Sequence, residues 1–577
     1  MAWPFFFLAG RVWTIVPVTP YFARFNLAWP DVRAPLPQPP VLVTPRSRKS
    51  SAVAVFSLLL AASCIQPASD GRMAEDPWTL RAERTGFEET ATYDEVVQLL
   101  ERAATVHPGL HLTRFGYSNE GRALPLLVAG PVRDGSPEAV REAEVPVVYL
   151  QGNIHAGEVA GKEALLRLVR SLALREQEAL LREVVLLIGP IYNADGNERI
   201  DLRNRPRQHG PIAGMGTRAN AQGLDLNRDQ MKLDSPEGRS LAWLLTNFDP
   251  HVFIDLHTTN GTRHAYHLTY SPPLHPATPG SIDVLLRDRL FPEVTARIAE
   301  RWGWHFWHYG NTSVRQGQRG WYTFDHRPRF VTNYAGLRNR IGILSEAYSY
   351  ATFEDRILAT ERFVDEILRW IRNHPDEVRR VVADEDARDL RGESIPVRAG
   401  FPATAPDHVI LMGDVEEEVH PWTGQVILRR TDEVREDPMP AHISFEGIEW
   451  EVVPEAYYFP AGLSVLVDRL RAHGVRLEAS DAPAGERLES FLVGSVQRAA
   501  QPFQGRNEVT VTGVWGVAPD ELDPGDWWRV PMDQPLARLA FLLIEPRADD
   551  GFLNWGLLDA WVEAGVHYPV LRRAAAQ

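Results

Sequence analysis

Three apolar runs of this chain each lead into side chains that together read as one metal site and its catalytic base. Val147–Leu150 is followed by His155 and Glu158, Val252–Leu256 runs into His257, and Ile341–Leu344 into Ser345 and Glu346. Polar side chains at the C-terminal ends of buried strands are where open α/β sheets place active sites. Two histidines and a glutamate are the ligand set of a hydrolytic zinc site with one position left for water. His155 and Glu158 stand three apart, close enough to reach one ion from a turn or a first helical coil. His257 comes from a separate strand. The expectation is one Zn2+ per chain, held by His155, Glu158 and His257, in an enzyme that cuts an amide bond.

The segments around these runs alternate between strand and helix patterns. Leu165, Leu168, Val169 and Leu172 follow helical spacing, Val184–Ile188 is a buried-strand candidate, and Ile357, Val364, Leu368 and Ile371 mark a later helix. Such alternation predicts an α/β domain over 79–380, a mixed sheet covered by helices. A charged stretch, 384–393, follows. Residues 395–577 then show short strand-like runs, His408–Met412 and Val509–Gly513, and a helix candidate at Leu463–His473. This region reads as a β-rich or α+β accessory domain without chemistry of its own. Its tryptophans, Trp422, Trp450, Trp515, Trp527, Trp528 and Trp555, are expected mostly in packing.

The net charge of -15 argues against a nucleic-acid partner, because phosphate binding needs a basic surface. The N-terminal stretch reads as processing. Arg46, Arg48 and Lys49 precede an uncharged run, Ala52–Ala62, which ends in small residues before Cys64, the one cysteine of the chain. That is the order of a secretory signal, too short to span a membrane. The small residues before Cys64 resemble a bacterial lipobox, which implies lipidation of Cys64 and a lipid anchor in the cell envelope. Residues 46–64 are therefore expected to be a signal peptide and 65–78 a linker. Residues 1–45 are expected to be an upstream extension from a start codon assigned too early.

Taken in order, His155-x-x-Glu158, Asn193-Ala-Asp-Gly196, Leu224-Asp-Leu-Asn227-Arg228-Asp229, His257 and Glu346 resemble the zinc carboxypeptidases over about 300 residues. No single piece is specific, but the ordered set is. That family itself supplies a type example of the His2Glu zinc set, so the ligand rule and the resemblance are not independent. The resemblance implies that Glu346 is the general base, with Glu354 the nearby alternative. It implies that Asn227 and Arg228 grip the free terminal carboxylate of a peptide, which suits the planar fork of arginine. It also implies an oxyanion-stabilising arginine within Leu202–Arg207, where Arg205 is preferred to Arg207. A mobile tyrosine should precede Glu346 by about two dozen residues; Tyr322 is nearest and Tyr334 next. His264, His267, His305 and His308 lie among tryptophans and read as packing.

The leading expectation is a zinc metallocarboxypeptidase of the bacterial envelope. Two others stay open: an amidohydrolase acting on cell-wall peptides or N-acyl amino acids, and a non-catalytic envelope binding protein that keeps the cleft.

Overall fold

The computed structural model describes residues 76–315, 317–483, 487–519, 522 and 525–576. The expected upstream extension, the signal, Cys64 and most of the linker lie outside the described residues. Residues 74–577 form one compact unit.

The first half supplies strands β1 (Leu110–Tyr117), β2 (Ala123–Ala129), β3 (Val147–Gly152), β4 (Val185–Gly189), β5 (Val252–Thr258), β6 (Leu268–Ser271), β7 (Phe306–His308), β8 (Asn311–Arg315), β9 (Gln318–Tyr322) and β10 (Ile341–Ala347). Eight of them form one mixed sheet in the order β1-β2-β4-β3-β5-β10-β6-β7. The parallel centre is β4, β3, β5 and β10. β3, β4 and β5 are buried along their whole length. This is why they read as unbroken apolar runs rather than alternating ones: helices cover both faces of a parallel centre. The outer strands are antiparallel where β1 meets β2, β2 meets β4 and β10 meets β6.

The helix Ala160–Ala173 carries the chain from β3 to β4. Its second residue, Gly161, has no room for a side chain: a Cβ there would stand 2.5 Å from Leu256 Cβ. The missing side chain lets the helix start against β5, which brings Glu158 beside His257. Glu346 of β10 is the direct register partner of His257 in β5. Two of the three segments singled out by sequence thus lie side by side in the sheet.

The second half supplies β11 (Ser394–Gly400), β12 (Asp407–Met412), β13 (Val415–Val419), β14 (Val426–Arg430), β15 (Arg435–His442), β16 (Glu446–Val452), β17 (Ala456–Pro460), β18 (Glu478–Ser480), β19 (Leu488–Arg498), β20 (Val509–Val517), β21 (Trp527–Pro531) and β22 (His567–Arg573). With the helices Ser464–Ala472 and Ala537–Ile544, this region is α+β. Six strands form the sheet β18-β21-β17-β22-β19-β20. β15 and β12 extend the β8–β9 hairpin into a four-stranded sheet, so the two halves share strands. The helix Ala537–Ile544 is buried at every residue, and its side chains join the same apolar core as β3, β4 and β5.

Candidate active site

The loop after β3 carries His155 and Glu158, and β5 carries His257. Each of the three is at most 3% exposed, and one ligand atom from each lies within 4.8 Å of the others. Gly157 keeps this loop flat, because a Cβ there would stand 2.9 Å from the Gly216 carbonyl.

Glu158 joins both rings. Its Oε1 lies 3.0 Å from His155 Nδ1 and its Oε2 lies 2.8 Å from His257 Nδ1. The Thr258 N–H also donates to Oε2, at 3.1 Å. The opposite ring nitrogens are backed by carboxylates: His155 Nε2 lies 3.0 Å from Asp225 Oδ1, and His257 Nε2 lies 2.5 Å from Asp255 Oδ2. A carboxylate behind the far nitrogen fixes a ligating imidazole in the tautomer whose near nitrogen is free for a metal. Both histidines therefore aim Nδ1 at the same point as Glu158. The residues fit the donor set of a hydrolytic zinc site, two nitrogens and one oxygen.

Electrostatics agree. Burial opposes charge on His257, but Asp255 and Glu158 outweigh it and hold the imidazolium well above its usual range. Burial favours the neutral Glu158 carboxyl, but His155 and Arg205 overcome it and hold the group well below the usual carboxylate range. Zinc must displace the His257 proton, so its uptake releases a proton.

Asp255 is itself held by Gln151, whose Nε2 donates to its Oδ1 at 2.9 Å. Replacing Asp255 with alanine is expected to weaken zinc about 10- to 100-fold, the usual effect of losing such a backing group. Competition with a chromogenic chelator measures this. Unchanged affinity would reduce Asp255 to a packing role.

The trio opens into a cavity of about 200 Å3. Glu346, Arg205, Asn227 and Arg228 line it together with the three ligands. Burial pushes the Glu346 carboxyl up to about 8, against the pull of His257 and with the push of Glu158. Arg205 donates through Nη2 to Glu158. Arg207 is exposed, and its carbonyl accepts from the Leu428 N–H of β14. Asn227 and Arg228 sit in a short 3-10 turn whose start is capped by Asp225 Oδ1, 2.9 Å from the Asn227 N–H. The Asn227 Oδ1 accepts from Val331 N–H at 2.8 Å. The Arg228 guanidinium lies 3.9 Å above the Phe330 ring.

Tyr322 is placed elsewhere. It belongs to β9, stacks on His442 of β15 at 4.5 Å, and carries the Arg315 guanidinium over its own ring at 4.4 Å. Tyr334 is fully buried, with its hydroxyl 2.8 Å from His473 Nδ1. The tyrosine that lines the cavity is Tyr309, in the turn between β7 and β8. Its hydroxyl lies 3.3 Å from Asn260 Oδ1 and 3.4 Å from Asn311 Nδ2. Glu354 is exposed on the first turn of the helix Phe353–Asn373. His267 stacks on Trp304 at 4.5 Å and His308 packs on Tyr270 at 4.9 Å, and neither lines the cavity.

Sequence reasoning missed the backing role of Asp225 and Asp255, and missed Arg218 and Tyr309. A signal for Asp255 was present: residues i and i+2 of a strand share a face, so Asp255 and His257 point the same way. Arg218 also faces the cavity, with Nε donating to Asp225 Oδ2 at 3.0 Å.

Comparison with known proteins bears on the same residues. Residues 96–272 match the family model described as zinc carboxypeptidase. Carboxypeptidase 2 of Trichophyton rubrum is 24% identical over 508 residues, 83% of this chain and 86% of its own. Carboxypeptidase E of Caenorhabditis elegans is 35% identical over 130 residues, 22% of this chain and 26% of its own. The crystal structure of a metallo-carboxypeptidase from Burkholderia cenocepacia covers 49% of this chain and 70% of its own, at 17% identity and a TM-score of 0.38. The family match ends before Glu346, and it is the pairing of β10 with β5 that brings this carboxylate to the ligands. Residues 96–272 are thus similar to the zinc carboxypeptidases, and His155, Glu158, His257 and Arg228 all lie inside the matched span.

Proposed function

We propose that the chain is a zinc-dependent metallocarboxypeptidase that removes C-terminal residues from peptides with a free carboxylate. The observation that carries this reading is one cavity lined by the buried His155–Glu158–His257 trio, by Glu346 and by Arg228. A zinc ion held by the trio would polarise the scissile carbonyl and acidify the attacking water.

The protein's own groups supply the rest. Glu346, partly open to the cavity, takes the proton of the attacking water and returns it to the leaving nitrogen. Burial lifts its carboxyl above the ordinary carboxylate range, while His257 pulls it back towards the charged form that accepts the proton. Arg205 turns its guanidinium into the cavity and is the donor for negative charge growing on the carbonyl oxygen. Arg228 holds the substrate's terminal carboxylate from the far wall, with Asn227 beside it. Tyr309 takes the place in the cavity that Tyr322 was expected to fill.

The test is a product-mass survey on a peptide library with free and blocked C-termini, with zinc measured in the same preparation. Loss of single C-terminal residues from free peptides supports the proposal. Release of N-acyl groups or cleavage of cell-wall cross-links would favour an amidohydrolase. Zinc binding without turnover would favour a binding protein.

The order of basic, apolar and small residues from Arg46 to Cys64 supports export and lipid anchoring in the cell envelope. Stable anchoring takes more than one acyl chain, so a multiply acylated Cys64 is expected. Cys64→Ser should then move the protein from the membrane pellet to the soluble envelope fraction. A wild-type protein already soluble would rule the anchor out.

A further inference from the structure

A side chain of the C-terminal half reaches a residue that backs the metal site. Between β19 and β20 the chain makes a tight hairpin in which Phe503 N–H donates to Arg506 O at 2.8 Å and Arg506 N–H donates to Phe503 O at 3.1 Å. The two residues at its tip, Gln504 and Gly505, have φ of 51° and 80°. Positive φ at both positions is the type I′ turn, which favours asparagine or glycine at its first central position. Glutamine there gains nothing locally, since its amide is too far from its own backbone to mimic a turn. Its length is used at a distance instead. Gln504 Oε1 accepts the backbone N–H of Asp225 at 2.7 Å, across 279 residues of sequence.

The hairpin is fixed on both sides of this contact. Arg506 binds Asp234 with Nε at 2.6 Å and Nη2 at 2.7 Å. Phe503 stacks on Trp555, and the Arg329 guanidinium lies 5.0 Å from one ring and 4.5 Å from the other. Arg329 is buried and donates to Asp550 at 2.7 Å and to Glu508 at 2.6 Å. The anchor does not depend on Gln504.

Asp225 is where the contact matters. Its Oδ1 backs His155 Nε2 and caps the turn that carries Asn227 and Arg228. Its carboxylate is also held by Arg218 and by the Asn227 N–H, while its backbone N–H is the group that Gln504 holds, so part of what orients the residue comes from the C-terminal half. We infer that Gln504 is a positioning residue for the metal site: by clamping the Asp225 backbone it keeps the Asp225 carboxylate behind His155 and so keeps His155 Nδ1 aimed at the metal. This rests on the proposal that zinc occupies the His155–Glu158–His257 trio.

The experiment uses the full mature chain loaded with zinc, and measures zinc release to excess chromogenic chelator beside the melting temperature of the metal-free form. The variant is Gln504→Gly. Glycine removes the acceptor and also relieves the positive φ, so the hairpin should be at least as well formed. The expected result is zinc release faster by about 10-fold or more, in the range for lost outer partners of a metal ligand, with the metal-free melting temperature equal to or above wild type. Gln504→Glu keeps an acceptor oxygen at the same reach and should recover most of the slow release. A merely structural Gln504 predicts the reverse pattern, a changed melting temperature with unchanged zinc release, and that result would overturn the inference. A Gln504→Gly chain that fails to fold would also overturn it, since the hairpin would then depend on Gln504. A wild-type chain that holds no zinc would overturn the metal reading itself, and this inference with it.

Discussion

Glu346→Gln should leave zinc content and melting behaviour near wild type while lowering turnover by at least about 100-fold, and by as much as about 10,000-fold. The size follows from what is lost. Glutamine matches the shape of glutamate, so the pairing of β10 with β5 survives, as does the register of residue 346 with His257. It cannot accept the proton of the attacking water. His155, Glu158 and His257 are untouched, so metal retention separates this variant from one that damages the site. Steady-state kinetics with metal analysis on the same sample measure both. The loss should fall on kcat, because the proton is moved in the transition state and not on binding. Near-normal turnover would place the base elsewhere. Glu354 is not the next choice in this structure, because it is exposed on the helix Phe353–Asn373. Tyr309, in the cavity wall, would then be the group to replace.

The metal site was legible because its information is local. His155, Glu158, His257 and Glu346 each follow an apolar run long enough to be a buried strand, and a strand end is a fixed place in a parallel sheet. Arg205 was legible only with Arg207 as a rival, because which side chain turns inward depends on the local backbone: Arg205 has φ of 54°. The tyrosine was not legible. Counting back from Glu346 led to Tyr322, but the β8–β9 hairpin lies between Tyr309 and Tyr322 and turns the latter into the sheet that β15 and β12 complete. Loop and hairpin lengths are weakly constrained by stability, so a distance counted along the chain does not survive an insertion. Asp225 was noticed as part of a motif, but its partner His155 lies 70 residues away. Gln504 left no trace at all. An uncharged amide in a turn carries no pattern, and its meaning appears only once the C-terminal half is folded against Asp225.

Peptides with an amidated C-terminus should be cleaved about 10- to 150-fold less efficiently than the same peptides as free acids. The proposed role of Arg228 is to hold the terminal carboxylate of the substrate. Its nearest carboxylate, Asp225, is 3.9 Å away and already serves His155 and Arg218. One nitrogen donates to the Asn227 carbonyl at 2.7 Å, and Phe330 lies flat beneath the guanidinium. The stacking fixes the plane of the fork and leaves its edge to the cavity, the arrangement that a bidentate carboxylate partner needs. Hydrogen bonds to charged groups contribute roughly 1.5–3 kcal/mol, which corresponds to the stated loss in kcat/KM if the contact persists in the transition state. Arg228→Ala should therefore lose a similar factor on free acids and little more on amides. That failure of the two changes to add is what identifies the carboxylate as the partner of Arg228, because residues that share one interaction are coupled. A structural arginine would cost both substrates equally. Equal cleavage of free and amidated peptides by the wild type would remove the terminal carboxylate from recognition and turn the reading towards an endopeptidase or a cell-wall amidase.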